Sequence, residues 1–210
     1  MKIDQIPLSR MDTFCYVIAD EASGRAALID PAFDVPRILA TTRKAGYAVS
    51  HVINTHHHPD HSAGNAEVIQ ATGAQLCIHE KDAPFLNKLT GRAMARMLGG
   101  KGSPAPQRML IDGDTVRIGA TELTVLHTPG HTPGGICIYT PGHVFTGDTL
   151  FVGAVGRTDL PGGSDRLLRT SICDRIYALP DETIVWPGHN YGDTPSSTVG
   201  YERQHNPFTR

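Results

Sequence analysis

HVINTHHHPDH, residues 51–61, decides how this chain is read. HVIN is an apolar run of strand length, and three histidines follow one residue later. Side chains alternate across an extended backbone, so His56, His58 and Asp60 project to one side and His57 to the other. Pro59 breaks the strand, and Asp60 or Ser62 can begin a helix. That turn swings His61 back toward the same side. Three imidazoles and a carboxylate then converge, a donor set that suits zinc, iron or manganese. Placing ionisable groups together brings no packing benefit, which argues against a chance cluster at a helix start. His57, facing away, is left to solvent or to a supporting role.

Short apolar runs flank this segment. FCYVIAD (14–20) and RAALID (25–30), separated by EASG, predict a β-hairpin. Val35, Ile38, Leu39 and Ala45 recur at helical spacing and stop at Gly46, predicting a helix over 34–46. Beyond the histidines, 62–72 predicts a helix stopped by Gly73, and QLCIH (75–79) a strand. Residues 80–108 carry one or two amphipathic helices and a Gly/Pro connector, a covering insertion rather than a domain. Phe85, Leu86, Met94, Met97 and Leu98 are expected there to pack on the sheet rather than to wall a cleft. Strands return at 108–118, with a turn at Asp112-Gly113, and at 121–128, 136–140 and 143–147. A helix over 164–178, a strand over 182–187 and a weak terminal helix over 196–205 complete the pattern. Hairpins mixed with strand–helix alternation predict mixed sheets covered by helices, an α+β architecture.

The 210 residues suit a single domain over 1–210 with a real core. Hydrophobic residues at 40% and charged residues at 19% mark a soluble globular chain. A formal net charge of -2 gives no electrostatic reason to expect nucleic acid or an anionic membrane as partner. No signal peptide and no run long enough to span a bilayer are read, so the cytoplasm is the expected compartment. Cys15, Cys77, Cys137 and Cys173 lie in apolar runs without a CxxC, as reduced buried thiols do.

Three further pieces carry candidate chemistry. HTPGHTPGG (127–135) places His131 in a turn made rigid by Pro129 and Pro133. FTGDTL (145–150) sets Asp148 just past an apolar strand, and WPGHN (186–190) sets His189 after another. Each alone is ordinary turn chemistry; their order behind the histidine cluster gives them weight.

HxHxDH, then the TPGHT histidine, the GDTLF aspartate and the PGH histidine resemble the metallo-β-lactamase superfamily over nearly the whole chain. The resemblance implies a four-layer αβ/βα sandwich of two mixed sheets with two metal ions at one edge. It implies one ion on His56, His58 and His131, a second on Asp60, His61 and His189, and Asp148 bridging them. Zinc is the expected metal, with iron or manganese as alternatives. Asp30, in LIDP, resembles an aspartate that orients the ligands.

The tract GDTLFVGAVGRTDLPGG (147–163) looks like glyoxalase II (hydroxyacylglutathione hydrolase) and its short relatives, without the helical C-terminal domain of the long forms. The resemblance implies hydrolysis of small-molecule thioesters, glutathione conjugates such as S-lactoylglutathione among them, by a hydroxide held between the metals. Asp60 then doubles as ligand and proton acceptor, and Tyr191 donates a hydrogen bond to substrate. Arg157 either contacts the glutathione part of the substrate or pairs with Asp159. The persulfide dioxygenases resemble the chain too, with one iron on His56, His131 and Asp148. A lactonase or other ester hydrolase on the same scaffold is a further alternative. The oligomeric state is not readable.

Overall fold

The structure, a computed structural model, describes residues 1–209. The first half of the chain builds a six-stranded sheet from β1 (Lys2–Pro7), β2 (Phe14–Asp20), β3 (Arg25–Ile29), β4 (Ala48–Ile53), β5 (Gln75–His79) and β6 (Arg108–Leu110), in that order. Its helices are α1 (Val35–Lys44), α2 (Pro59–Ser62), α3 (Asn65–Thr72), α4 (Ala83–Leu86) and α5 (Leu89–Met97). The second half supplies β7 (Thr115–Ile118), β8 (Thr121–His127), β9 (Ile136–Thr140), β10 (His143–Gly147), a small hairpin of β11 (Leu150–Phe151) and β12 (Ala154–Val155), then α6 (Asp165–Ser171), β13 (Ile184–Pro187), β14 (Ser197–Thr198) and α7 (Val199–His205). The second sheet runs β14-β13-β10-β9-β8-β7. Both sheets are mixed. The first is antiparallel across β1, β2 and β3 and parallel from β3 to β6; the second has one parallel pair, β10 with β13.

The period-two pattern of the strands makes the layers. In β2, Phe14, Tyr16 and Ile18 face the interior between the sheets, while Cys15, Val17 and Ala19 face the helical layer of the first half. In β9, Ile136 and Ile138 point inward, and Cys137 lies on the opposite face with Leu168, Ile172 and Ile176. Every strand that is buried on both faces therefore reads as a continuous apolar run. The result is the expected helix–sheet–sheet–helix sandwich. A buried aliphatic or aromatic side chain contributes roughly 1.5–3 kcal/mol, so the inter-sheet layer is the main store of stability.

The Asp112-Gly113 turn hands the chain from β6 in the first sheet to β7 in the second. Three local expectations change. The helix expected over 62–72 is two, because the chain bends at Gly64; a Cβ there would lie 2.2 Å from the Pro31 carbonyl oxygen. The helix expected over 164–178 ends its α-form at Ser171 and continues as a π-helical turn, Ile172–Ile176. The wider turn keeps Leu168, Ile172 and Ile176, spaced by four, on one buried face. It also turns Cys173 outward, so three of the four free cysteines are buried and this one is exposed.

Tyr16 joins the sheets by a polar contact inside the apolar layer. Its hydroxyl donates to the Pro187 carbonyl at 2.6 Å and accepts from Gln5 Nε2 at 3.0 Å, while its ring packs edge-on against Phe145 at 5.0 Å. Tyr16→Phe leaves the Pro187 carbonyl without this donor and is expected to lower unfolding free energy by about 1–3 kcal/mol. Urea denaturation checks it: the midpoint falls while the slope stays constant.

Candidate metal centre

The strands end where the chemistry begins. β4 delivers Thr55 and the histidines; His58 is the extended N-cap residue of α2, and Asp60 and His61 lie within that short helix. His131 sits in the loop between β8 and β9, Asp148 directly follows β10, and His189 follows β13. β10 and β13 are parallel, so their C-terminal ends put Asp148 and His189 side by side. The backbone bond from Ile136 N–H to the Thr55 carbonyl, 2.9 Å, ties this edge to the end of β4.

All seven expected ligands meet. Donor atoms of His56, His58 and His131 lie within 4.8 Å of one another, as do those of His56, His61 and Asp148, and those of Asp60, His61 and His189. Asp148 spans the groups: Oδ1 is 3.2 Å from His61 Nε2 and 3.4 Å from His189 Nε2, and Oδ2 is 3.5 Å from His131 Nε2. His58 Nδ1 and His131 Nε2 are 2.9 Å apart, and the Nε2 atoms of His61 and His189 are 3.1 Å apart. Nitrogens on one tetrahedral zinc at about 2.0–2.1 Å lie roughly 3.3 Å from each other, close to these separations.

The opposite ring nitrogens fix the tautomers. His131 Nδ1 faces the Arg157 carbonyl at 2.7 Å, His189 Nδ1 faces the Met11 carbonyl at 2.8 Å, and His61 Nδ1 faces Asp30 Oδ2 at 3.0 Å. Acceptors at Nδ1 assign a proton there, so that in the neutral ring Nε2 is the inward-facing atom available to a cation. Two buried atoms, His56 Nε2 and Asp148 Oδ1, have no hydrogen-bond partner. Such an atom costs about 1–3 kcal/mol unless something else satisfies it. The donor set therefore fits cations: it offers lone pairs and carboxylates and almost no proton donors.

Charge follows the same arrangement. Burial disfavours the ionised form of Asp148, yet the His61 and His189 imidazoles outweigh it and hold the carboxyl well below its ordinary range. Burial drives His56 well below the usual imidazole value. Burial, then His131, brings His58 down to about 4. His61 goes the other way, because Asp148, Asp30 and Asp60 overcome its burial.

Asp30, expected from the sequence to orient the ligands, lies behind His61. It is 1% exposed and has a left-handed backbone, φ 51. Besides His61, it accepts from Thr55 N–H at 2.8 Å and Thr55 Oγ1 at 2.6 Å. His57 is half-buried rather than solvent-facing: its Nδ1 is 2.9 Å from Asp82 Oδ2, and its ring stacks on Phe85. Asp82 was not singled out in the sequence, because a lone aspartate before a short helix looks like an ordinary cap.

A cavity of about 580 Å³ opens over the centre, lined by His58, Asp60, His131, Asp148 and His189 and by Met11, Met94, Leu98, Phe151, Val155 and Leu160. Met94 and Leu98 thus wall the cleft instead of only packing on the sheet; Leu86 is in the core and Met97 is exposed. Tyr191 lines the cavity, with its ring stacked on His189 at 4.6 Å. Arg157 lines it too, while its guanidinium holds Asp159 through two bonds of 2.7 and 2.6 Å.

Residues 8–189 match the model of the metallo-beta-lactamase superfamily. The chain belongs to this superfamily. It is by that membership an enzyme of metallohydrolase type. A hydroxyacylglutathione hydrolase of Polaromonas sp. is 39% identical over 182 residues, 85% of this chain and 62% of that protein. The mitochondrial persulfide dioxygenase of Homo sapiens is 32% identical over 198 residues, 93% of this chain and 70% of that protein. Among solved structures, TTHA1623 in a di-iron-bound form superposes with a TM-score of 0.84 at 33% identity, covering 98% of this chain and 99% of that one. Among the described residues no helix is long and apolar enough to cross a membrane.

Removing Asp148 takes a ligand from both donor sets and leaves the cations less compensated. Asp148→Ala is expected to lower metal affinity by more than about 100-fold and the content of purified protein below two ions per chain. Elemental analysis checks this, and two full equivalents in the variant would contradict the bridging role.

Proposed function

We propose that this protein hydrolyses small-molecule thioesters, hydroxyacyl glutathione thioesters of the S-lactoylglutathione type among them, with two divalent ions, zinc foremost. The observation that carries this reading is the second donor set: Asp60, His61 and His189 stand complete beside His56, His58 and His131, with Asp148 reaching both. Two cations held there supply an acidified water and a Lewis acid for a carbonyl oxygen.

The chain's own groups do the rest. Asp60, with Oδ2 3.6 Å from His189 Nε2, is placed to take the proton that water gives up. Partial burial, then the charges of Asp148 and Asp60, push the Tyr191 phenol up to about 12. It therefore stays protonated at neutral pH and serves as a hydrogen-bond donor to the substrate carbonyl. The thiolate leaves without a strong acid, since a free thiol has a pKa near 8.5. Met94, Leu98, Phe151 and Val155 wall the acyl group from solvent. Arg157 meets a glutathione carboxylate by exchanging Asp159, a solvent-screened partner and so readily displaced.

One other reading has its own support. His56, His131 and Asp148 form a two-histidine, one-carboxylate set suited to a single iron, and the human relative named persulfide dioxygenase covers most of the chain. Protein of measured metal content, assayed on S-lactoylglutathione, simple thioesters, lactones and glutathione persulfide, separates the two. Thioester hydrolysis with two ions per chain is expected; one iron with oxygen uptake on the persulfide replaces the hydrolase by the dioxygenase.

In the same assay Arg157→Ala is expected to raise KM for glutathione thioesters roughly two- to fivefold, the size of a screened ion pair, and to spare simple thioesters. Equal effects on both would confine Arg157 to Asp159.

A further inference from the structure

We infer that Asp82 is the positioning residue of the His56–His58–His131 donor set, as Asp30 is of His61, so that each half of the centre has its own buried carboxylate support. Asp82 lies between β5 and α4 and is fully buried. Oδ2 accepts from His57 N–H, faces His57 Nδ1 and accepts from Thr132 Oγ1, each at 2.9 Å; Oδ1 accepts from Gly134 N–H at 2.7 Å. His57 stands between His56 and His58 in the chain, and Thr132 follows His131. One side chain thereby pins the backbone on both sides of the donor set, although the two loops come from different sheets.

Three features mark this as a built contact. Gly134 has no alternative: a Cβ there would lie 2.6 Å from both Asp82 Oδ1 and Asp82 N, so the TPGG loop closes directly onto the carboxylate. The His57 ring is gripped on its face by Phe85, with centroids 4.9 Å apart and planes at 29°, and at its edge by Asp82. The imidazole that points away from the metal centre is thus a peg that sets the direction of its two neighbours. Asp82 is also absent from every donor group around the centre, so its charge serves the loops rather than an ion. Asp30, by contrast, reaches His61 and Thr55, whose hydroxyl faces His56 Nδ1 at 3.1 Å, and among the described residues has no hydrogen bond to His131 or its loop.

The inference rests on the two-ion reading of the centre, and zinc release tests both separately. Protein loaded with zinc is titrated with a chromogenic chelator, comparing wild type, Asp82→Asn, Thr132→Val, Asp30→Asn and the Asp82→Asn/Asp30→Asn pair. In Asp82→Asn one zinc equivalent is expected to leave at roughly 10–100-fold lower chelator strength, the usual cost of losing a support behind a ligand, while the other stays within about twofold of wild type. Asp30→Asn is expected to weaken the other equivalent, and the pair to weaken both.

Release of both ions in step, or unchanged release, assigns Asp82 to the scaffold alone and overturns the inference. A general loss of packing would lower the thermal midpoint of the metal-free protein and both affinities together, which the selective pattern excludes. Should Asp82→Asn fail to fold, Thr132→Val removes one of the four bonds and is judged by the same criterion. Wild type that binds a single zinc sinks the two-ion reading instead. Asp82 then stands if Asp82→Asn weakens that ion and Asp30→Asn does not, and falls otherwise.

Discussion

Lone pairs aimed at one another cannot stay buried without positive charge between them, and the molecule is arranged around that constraint. His61 Nε2 faces His189 Nε2, His131 Nε2 faces His58 Nδ1, and Asp148 sits among them. Nothing in the apolar layers requires this. Three of these imidazoles are tied from behind: His61 to Asp30, His131 to the Arg157 carbonyl and His189 to the Met11 carbonyl. The unfavourable cost of holding them is carried by the two sheets, whose inter-sheet layer from Phe14 to Phe145 fixes the strand ends. The same bonds preorganise the centre, so cation binding would be spared most of the ordering.

Much of this was legible in the sequence, for definite reasons. The alternation rule and Pro59 suffice to gather His56, His58, Asp60 and His61, because the signal is local and the donors lie within six positions. His131, Asp148 and His189 follow strands of plain apolar type, and only resemblance joined them to the cluster. β1, β14 and the β11–β12 hairpin were missed since they are short or polar on one face, and pairing rather than pattern makes them strands. The Asp112-Gly113 turn announces a reversal, but no local feature says whether the next strand returns to the same sheet. Asp82 was invisible for a related reason. The three residues its carboxylate bonds lie 25 to 52 positions away, and an aspartate carries no mark of such distant company.

The molecule also divides by how firmly its parts are held. The ligands sit on strand ends and are buried or nearly so. The walls of the cavity do not share that anchorage. Met94 and Leu98 belong to α5 and its cap, where only Ala95 is buried within the helix. Phe151 and Val155 come from the two-residue strands β11 and β12. That hairpin is held by α7 and the residue after it: Glu202 Oε2 accepts from Gly153 N–H at 2.9 Å, and Asn206 Nδ2 donates to the Ala154 carbonyl at 3.1 Å. Arg157 is exposed, paired only with an equally exposed aspartate.

Substitutions on these walls leave the inter-sheet core and the ligand supports untouched, so pocket shape and charge can change at little cost in stability. Substitutions among the ligands or behind them disturb a buried, charged cluster in which every group has several partners. The donor cluster is therefore the part of this chain least tolerant of substitution, and the cavity walls are the most tolerant part. On the proposed function, substrate preference would be set on α5, the β11–β12 hairpin and Arg157, which line the cavity, rather than on the histidines of the donor cluster.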